Sequence, residues 1–268
     1  MKQYERINEL PSGNAGDTIQ PGCLVLEGGG WRGLYTIGAL DALMEADINF
    51  QTVVGVSAGA LSAVGYLSGQ IGWAGRIDLT YRNDPKYVDV GAIYREHGVM
   101  GLHYLFHDLV QKHPIDMERF NSLERELVAV VTNMETGKPE YFRKNQCDIF
   151  EAVIASASVP YVSEPIMIDG KPYLDGGCSV KIAYQWAKEH SFEKIAVICT
   201  RERGHRREEK DLPQIAKFHY RSYPNFVNSL EYKEECYNRT LEEMERDESM
   251  GQIFTLYPET PVTVSRFE

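Results

Sequence analysis

Short apolar runs that stop at glycine or polar turns alternate along this chain with segments whose apolar residues recur every three or four positions. Cys23-Leu24-Val25-Leu26-Glu27 stops at three glycines and predicts a buried strand entering a tight loop. Leu34, Ile37, Leu40, Leu43 and Met44 then fall at helical spacing, which predicts a helix to about Ala46. Thr52 to Val56 regains β-branched character and ends at Ser57, and residues 58–67, rich in Ala and Gly with spaced Leu, Val and Tyr, predict a helix pressed closely on a sheet. Connections this short make the two strands parallel with a right-handed crossover. Both strand-to-helix turns then lie at one sheet edge, where open α/β sheets carry their ligand chemistry.

Downstream, residues 127–132 and 140–143 predict strands around a Thr136-Gly137 turn, and residues 149–159 a helix stopped by Pro160. Ile166 to Ile168, the turn 169–172, and Tyr173-Leu174 predict a hairpin that ends at Asp175-Gly176-Gly177. A helix over 183–190 and a core strand over 194–200 follow. Phe226, Leu230, Tyr237, Leu241 and Met244 mark one face of an acidic helix, and residues 253–257 form a last short strand. No linker, break in composition or fixed repeat divides the 268 residues, so a single domain over 1–268 is expected, with a motif-bearing core at about 21–200 and a helical C-terminal part at about 212–250.

Composition narrows the partners. The first 20 residues are polar and mixed in charge, without the apolar run of a signal peptide or membrane span, and the five cysteines are an odd number with no CxxC pair. Free thiols in a reducing compartment, hence a cytoplasmic location, are the expectation. A net charge of −11 disfavours nucleic acid as a partner and repels anionic headgroups at long range. The basic cluster at 201–210, interleaved with glutamates, reads as a solvated loop in preference to an anion site, and no function is assigned to it.

Three sites carry chemistry. Gly55-Val56-Ser57-Ala58-Gly59 is GxSxG between a predicted strand and a predicted helix. A serine at that turn is held clear of the sheet, Gly55 and Gly59 let strand and helix approach, and the Ala58 amide at the helix N-terminus favours negative charge beside it. Gly28-Gly29-Gly30-Trp31-Arg32-Gly33 ends the preceding strand and belongs next to Ser57; serial glycines can aim backbone N–H groups at one point, a candidate oxyanion hole, and Arg32 could brace the loop or meet a phosphate. Gly28, Gly30 and Gly33 also satisfy GxGxxG, the dinucleotide-binding pattern, but the acidic residue that pattern needs after the second strand is replaced by Val56-Ser57, with Asp47 displaced into the preceding loop.

Asp175-Gly176-Gly177 presents a carboxylate at a strand end, with two glycines that let the backbone turn sharply. A Ser-His-Asp hydrolase would draw its base from His190, His205 or His219, none of which has turn residues to present it, while His97, His103, His107 and His113 precede Asp175 in a helix-rich stretch. Asp175 is therefore the favoured base and a late histidine the alternative. An exposed aspartate, with a pKa of about 4, is a weak base, so the site requires its burial.

The EGGGWRG loop, GVSAG and LDGG, in that order, together with Ala155-Ser156-Ala157-Ser158-Val159-Pro160 and Pro165, Gly170 and Tyr173 ahead of Asp175, resemble the patatin-like phospholipase family over about residues 23–200. The resemblance implies a three-layer α/β/α sandwich with a mainly parallel central sheet, Ser57 as nucleophile, Asp175 as base, Gly28, Gly29 and Gly30 as oxyanion loop, and no metal or organic cofactor. It implies hydrolysis of acyl esters of lipids through an acyl-enzyme, with transient contact at a membrane surface allowed. Glu27 stands where plant members commonly have Asp. Met100, Leu102, Tyr104, Leu105, Phe106 and Leu109 either pack an inserted helix or line an acyl pocket.

Overall fold

The computed structural model describes residues 4–87, 101–208 and 211–264. Its main sheet has eight strands: β1 (Ile19–Leu26), β2 (Asn49–Val56), β3 (Glu126–Asn133), β4 (Pro139–Arg143), β5 (Ile166–Ile168), β6 (Lys171–Asp175), β7 (Ile195–Ile198) and β8 (Phe254–Leu256). Strands β8, β7, β1, β2 and β3 run parallel in that spatial order, and β4, β6 and the hairpin partner β5 complete the sheet with antiparallel pairs. The mainly parallel sheet is the expected one.

Alternation along the strands separates two faces. Leu24, Leu26, Val53, Leu127 and Ala129 point into a core covered by helices α1 (Gly33–Glu45), α2 (Ala58–Leu67) and α4 (Ile149–Ser156), the last counted after α3 (Trp73–Tyr81). Cys23, Val25, Val54, Val128 and Val197 point the other way, against α5 (Tyr184–Glu189) and, after α6 (Gln214–His219), the 26-residue α7 (Pro224–Ser249). Parallel strands buried on both faces need apolar residues at nearly every position, which is why they appear in the sequence as runs. The result is the three-layer α/β/α arrangement.

All five apolar residues assigned to one face of the acidic C-terminal helix are buried. Three of them, Tyr237, Leu241 and Met244, pack on the sheet, and Phe226 and Leu230 form a smaller cluster with Met134, Leu174 and Cys178. Pro224 opens α7 in its first turn, where a missing N–H costs nothing. The helix expected to run to residue 159 ends at Ser156, because Ser156 and Ser158 are drawn into hydrogen bonds with the ends of β2, β3 and β6. Within the stretch read as an inserted helix, Leu102, Leu105 and Leu109 are buried and short helical turns cover 102–112; Met100 and His97 lie outside the described residues. All five cysteines are free thiols, and among the described residues no helix is long and apolar enough to cross a membrane.

Leu241, 3 % exposed on the α7–sheet contact, and Ile215, 78 % exposed on α6, give matched tests of this packing. In denaturant titrations Leu241→Ala is expected to lower the unfolding free energy by about 2–5 kcal/mol, and Ile215→Ala by less than about 0.5 kcal/mol.

Candidate active site

Register along β3 brings the two predicted side chains together. Val56 at the end of β2 lies opposite Val130, and Asp175 at the end of β6 lies opposite Val131, the next residue. Since β4 occupies the other edge of β3 over the same residues, β2 and β6 abut end to end along one edge. Ser57 and Asp175 are therefore the residues at a seam between a parallel and an antiparallel strand. Ser57 Oγ donates to Asp175 Oδ2 at 2.7 Å.

Each partner is fixed from behind. Ser57 has φ 55° and ψ −122°, a left-handed conformation that costs a non-glycine residue about 1–3 kcal/mol. Its amide donates to Ser156 Oγ at 2.8 Å, and Ser156 in turn donates to Val130 O at 2.6 Å, so the strained turn is tied to β3. Close approach of α2 depends on the flanking glycines: a Cβ on Gly55 would lie 2.6 Å from Ala60 N, and one on Gly59 2.7 Å from Leu26 O. Asp175 Oδ1 accepts the Gly177 amide at 2.7 Å, its own amide donates to Ser158 O at 2.8 Å, and its carbonyl accepts from Thr132 Oγ1 at 2.9 Å. Gly176 is the seam itself, since a Cβ there would fall 2.2 Å from Val130 O. Burial pushes the Asp175 carboxyl up to about 6, opposed by the Ser57 and Gly177 hydrogen bonds and by the charges of Lys233 and Lys181.

The glycine loop lies against Ser57, as its place on the neighbouring strand requires. A Cβ on Gly28 would touch Ser57 Cβ at 3.2 Å, and Gly30 takes a left-handed φ of 55°. The Gly28 amide donates to Lys181 O at 3.0 Å, whereas among the described residues no such backbone partner engages the amides of Gly29, Gly30 and Ala58. Below the loop Glu27 is fully buried, accepting Tyr237 OH at 2.9 Å and the Thr200 amide at 2.5 Å, and its pKa is raised by burial. Glu27 thus joins the loop to β7 and α7, a long-range connection with no signal in the local order of residues.

Two cavities meet at Ser57. One is a narrow apolar slot between α1, α2 and α3, lined by Trp31, Ile37, Leu61, Trp73, Ile77 and Leu105, with Asp78 bonded to Tyr87 OH at 2.6 Å in its wall. Burial raises Asp78 to about 6. The other is a wider cleft of about 350 Å³ that holds Gly28–Gly30, Ser57 and Asp175 and is lined by Arg32, Lys181, Arg201, Arg207 and Lys233. The reading of 201–210 as a purely solvated loop is therefore corrected: Arg201 and Arg207 are half-buried and face the cleft. Leu105, from the stretch of uncertain role, lines the slot, while Leu102 and Leu109 pack in the core.

The competing readings lose their residues. His190 stacks on Trp186 at 4.0 Å, with Nδ1 2.8 Å from Trp186 O. His205 pairs with Glu202 at 3.3 Å, and His219 lies edge-on to Tyr220 at 4.6 Å. None of the three lines either cavity at Ser57. Asp47, the one acid near the spacing required for a dinucleotide ribose, holds Thr18 Oγ1 at 2.5 Å and Asn49 Nδ2 at 3.1 Å at the opposite ends of β1 and β2. Among the described residues, no group of three or more His, Cys, Asp and Glu side chains is arranged to hold a metal ion.

The patatin-like phospholipase family model matches residues 24–184, and a domain of unknown function, DUF6363, matches residues 223–268. The uncharacterized protein YjjU of Escherichia coli K12 is 26 % identical over 258 residues, 91 % of this chain and 71 % of that protein. A probable lipid hydrolase, 463L of Invertebrate iridescent virus 6, is 25 % identical over 58 % of this chain and 59 % of its own length. An uncharacterized NTE family protein of Mycobacterium tuberculosis H37Rv is 31 % identical over 58 % of this chain and 42 % of its own, so the chain spans about half the length of the viral and mycobacterial relatives. The crystal structure of VipD from Legionella pneumophila aligns over 81 % of this chain and 55 % of its own, at a TM-score of 0.44 and 17 % identity. With a family model that runs from β1 through both Ser57 and Asp175 into α5, the chain belongs to the patatin-like phospholipase family.

Proposed function

We propose that this protein is a serine acyl hydrolase that cleaves carboxylic esters of lipids through a Ser57–Asp175 dyad. The observation that carries the reading is the 2.7 Å hydrogen bond from Ser57 Oγ to a buried carboxylate whose pKa is raised to about 6. Asp175 accepts the serine proton as Oγ attacks the ester carbonyl, and the tetrahedral oxyanion is received by the amides of Gly29, Gly30 and Ala58. Gly28 contributes the space that lets the loop lie on Ser57 rather than a donor, since its N–H is directed to Lys181 O. Collapse of the intermediate expels the alcohol, protonated by Asp175, and leaves an acyl-enzyme on Ser57; water, deprotonated by Asp175, then frees the acid.

A carboxylate remains a weak base toward an alcohol even at this pKa. The remaining stabilisation falls to the oxyanion donors, each worth about 3–4 kcal/mol in hydrolases of this kind. The apolar slot on one side of Ser57 suits the acyl chain and the polar cleft on the other suits the alcohol portion. Membership of the patatin-like family, and a relative named as a probable lipid hydrolase, favour lipid esters over other acyl compounds.

Ser57→Ala is expected to abolish covalent labelling by a fluorophosphonate and all ester turnover, and Asp175→Asn to lower kcat by about 10²–10⁴-fold, measured on a panel of esters of rising acyl length that includes a phospholipid. Substitution of His190, His205 or His219 by Ala should leave labelling intact; loss of labelling in any one would return the base to a histidine. Turnover that persists in Ser57→Ala would remove Ser57 as nucleophile.

The pH dependence has a definite sign. Asp175 acts only when ionised, so log kcat/KM should rise with pH through a pKa of about 6 and level off above it. The raised value also means that the native state holds this proton more tightly than the unfolded chain does. Ionisation therefore destabilises the fold increasingly from pH 3.8, the ordinary aspartate value, to about 6, and fully above it. Asp175→Asn, uncharged throughout, should melt at a higher temperature than wild type at neutral pH and lose that advantage at acid pH. An unchanged difference across this range would show that Asp175 does not titrate there.

A further inference from the structure

The protein carries a net charge of −11, yet among the described residues the cleft beside Ser57 is lined by five cations and a single carboxylate, Asp175. The cations come from four separate segments: Arg32 from the glycine loop, Lys181 from the turn after β6, Arg201 and Arg207 from the loop after β7, and Lys233 from α7. Only Arg201 and Arg207 come from a locally basic segment; Lys233 reaches the cleft from a helix that is otherwise acidic.

Among the described residues their charges are poorly compensated. Lys181 and Arg207 share one carboxylate, Glu234, with Arg207 Nε at 3.4 Å. Among the described residues Arg201 and Lys233 make no ion pair, and the buried Nε atoms of Arg32 and Arg201 have no hydrogen-bond partner. Glu27, whose charge favours the Arg32 cation, has its oxygens occupied by Tyr237 OH and the Thr200 amide. The Arg32 guanidinium is destabilised first by burial and next by the charge of Arg201, and burial brings Lys181 down to about 8. Holding like charges together in a partly dry cleft is unfavourable unless an anion enters.

We propose that this cleft is a headgroup subsite that receives a phosphate-type anion carried on the alcohol side of the scissile ester, so that the enzyme selects net-anionic lipids over zwitterionic and neutral ones. The inference rests on the acyl hydrolase reading for the placement of the ester at Ser57. The apolar slot takes the acyl chain on the opposite side of Ser57, which leaves the cationic wall to the leaving alcohol and its substituent. Guanidinium groups suit phosphate oxygens through paired N–H donors, and the two lysines add point charge. Through Lys233, and through Glu234, which positions Lys181 and Arg207, α7 becomes the specificity-setting wall of the site, a role for the segment that the family comparison matches only to a domain of unknown function.

The test uses the full chain and diacyl lipids of identical chain composition, with phosphate, phosphoglycerol, phosphocholine or a free hydroxyl as headgroup, dilute in micelles of a nonionic detergent. The expected result is a kcat/KM for the phosphate and phosphoglycerol lipids at least about tenfold above that for the other two, shrinking as salt is raised. In the double variant Arg201→Gln/Lys233→Gln the ratio should fall to within about threefold of unity, and Arg201→Lys should retain most of it; because the readout is a ratio, a general loss of folded enzyme cancels.

Charge-selective binding is also expected in Ser57→Ala, measured as retention on micelles carrying phosphatidate against micelles carrying diacylglycerol. Equal turnover of all four lipids by wild type, an unchanged ratio in the double variant, or inorganic phosphate binding as tightly as the lipid would overturn the headgroup assignment. Charge-selective binding without turnover or labelling of wild type would instead uphold the subsite and overturn the hydrolase reading.

Discussion

The site depends on one packing constraint: two strands, β2 and β6, share a single edge of β3 and meet end to end there. Hydrogen-bond register fixes Val56 opposite Val130 and Asp175 opposite Val131, so the positions of Ser57 and Asp175 are set by the ladder of β3 to within the tolerance of a backbone hydrogen bond. No flexible loop carries either group. The narrowness of the seam explains its composition, because at Gly176 any side chain would strike the Val130 carbonyl.

That rigidity offsets two unfavourable states. Ser57 holds a left-handed backbone conformation that a serine avoids in isolation, and Asp175 holds a carboxylate in surroundings that favour its neutral form. Each is retained because several hydrogen bonds over-determine it: Ser156 bridges Ser57 to β3, while Thr132, Ser158 and Gly177 grip the backbone and side chain of Asp175. Strain and desolvation concentrate at the Ser57–Asp175 pair, where the proposed reaction takes the serine proton.

A second tier of contacts runs from the glycine loop to the C-terminal helix. Buried Glu27 joins β1 to the Thr200 amide on one side and to Tyr237 on the other, and Tyr237 also lies under the Lys181 and Arg207 cations at 5.3 and 5.4 Å. The same helix that closes the hydrophobic layer over β1, β2 and β7 through Leu241 and Met244 thereby reaches the cleft through Lys233 and Glu234. Fold stability and the charge of the site are coupled through one element.

Much of this was legible in the order of residues. Apolar runs that stop at three glycines and at Ser57 marked β1 and β2, the 58–67 helix matched its bounds, and GxSxG, the glycine loop and Asp175-Gly176-Gly177 were identifiable because turns of that sharpness demand particular residues locally. The five residues on the buried face of α7 were readable for the same reason, since helical periodicity is a local property. What the tertiary structure alone decided is long-range. Ser57 and Asp175 are 118 residues apart, and their contact follows from strand register. The contacts of Ser156 and Glu27, and the cleft positions of Arg201, Arg207 and Lys233, follow from no local pattern; the sequence favoured a solvated loop for the two arginines because alternation with glutamate looks like a hydrated surface. Only packing of separate segments around one cleft turns them inward, since the energy of bringing charges together depends on distances that a one-dimensional pattern does not contain.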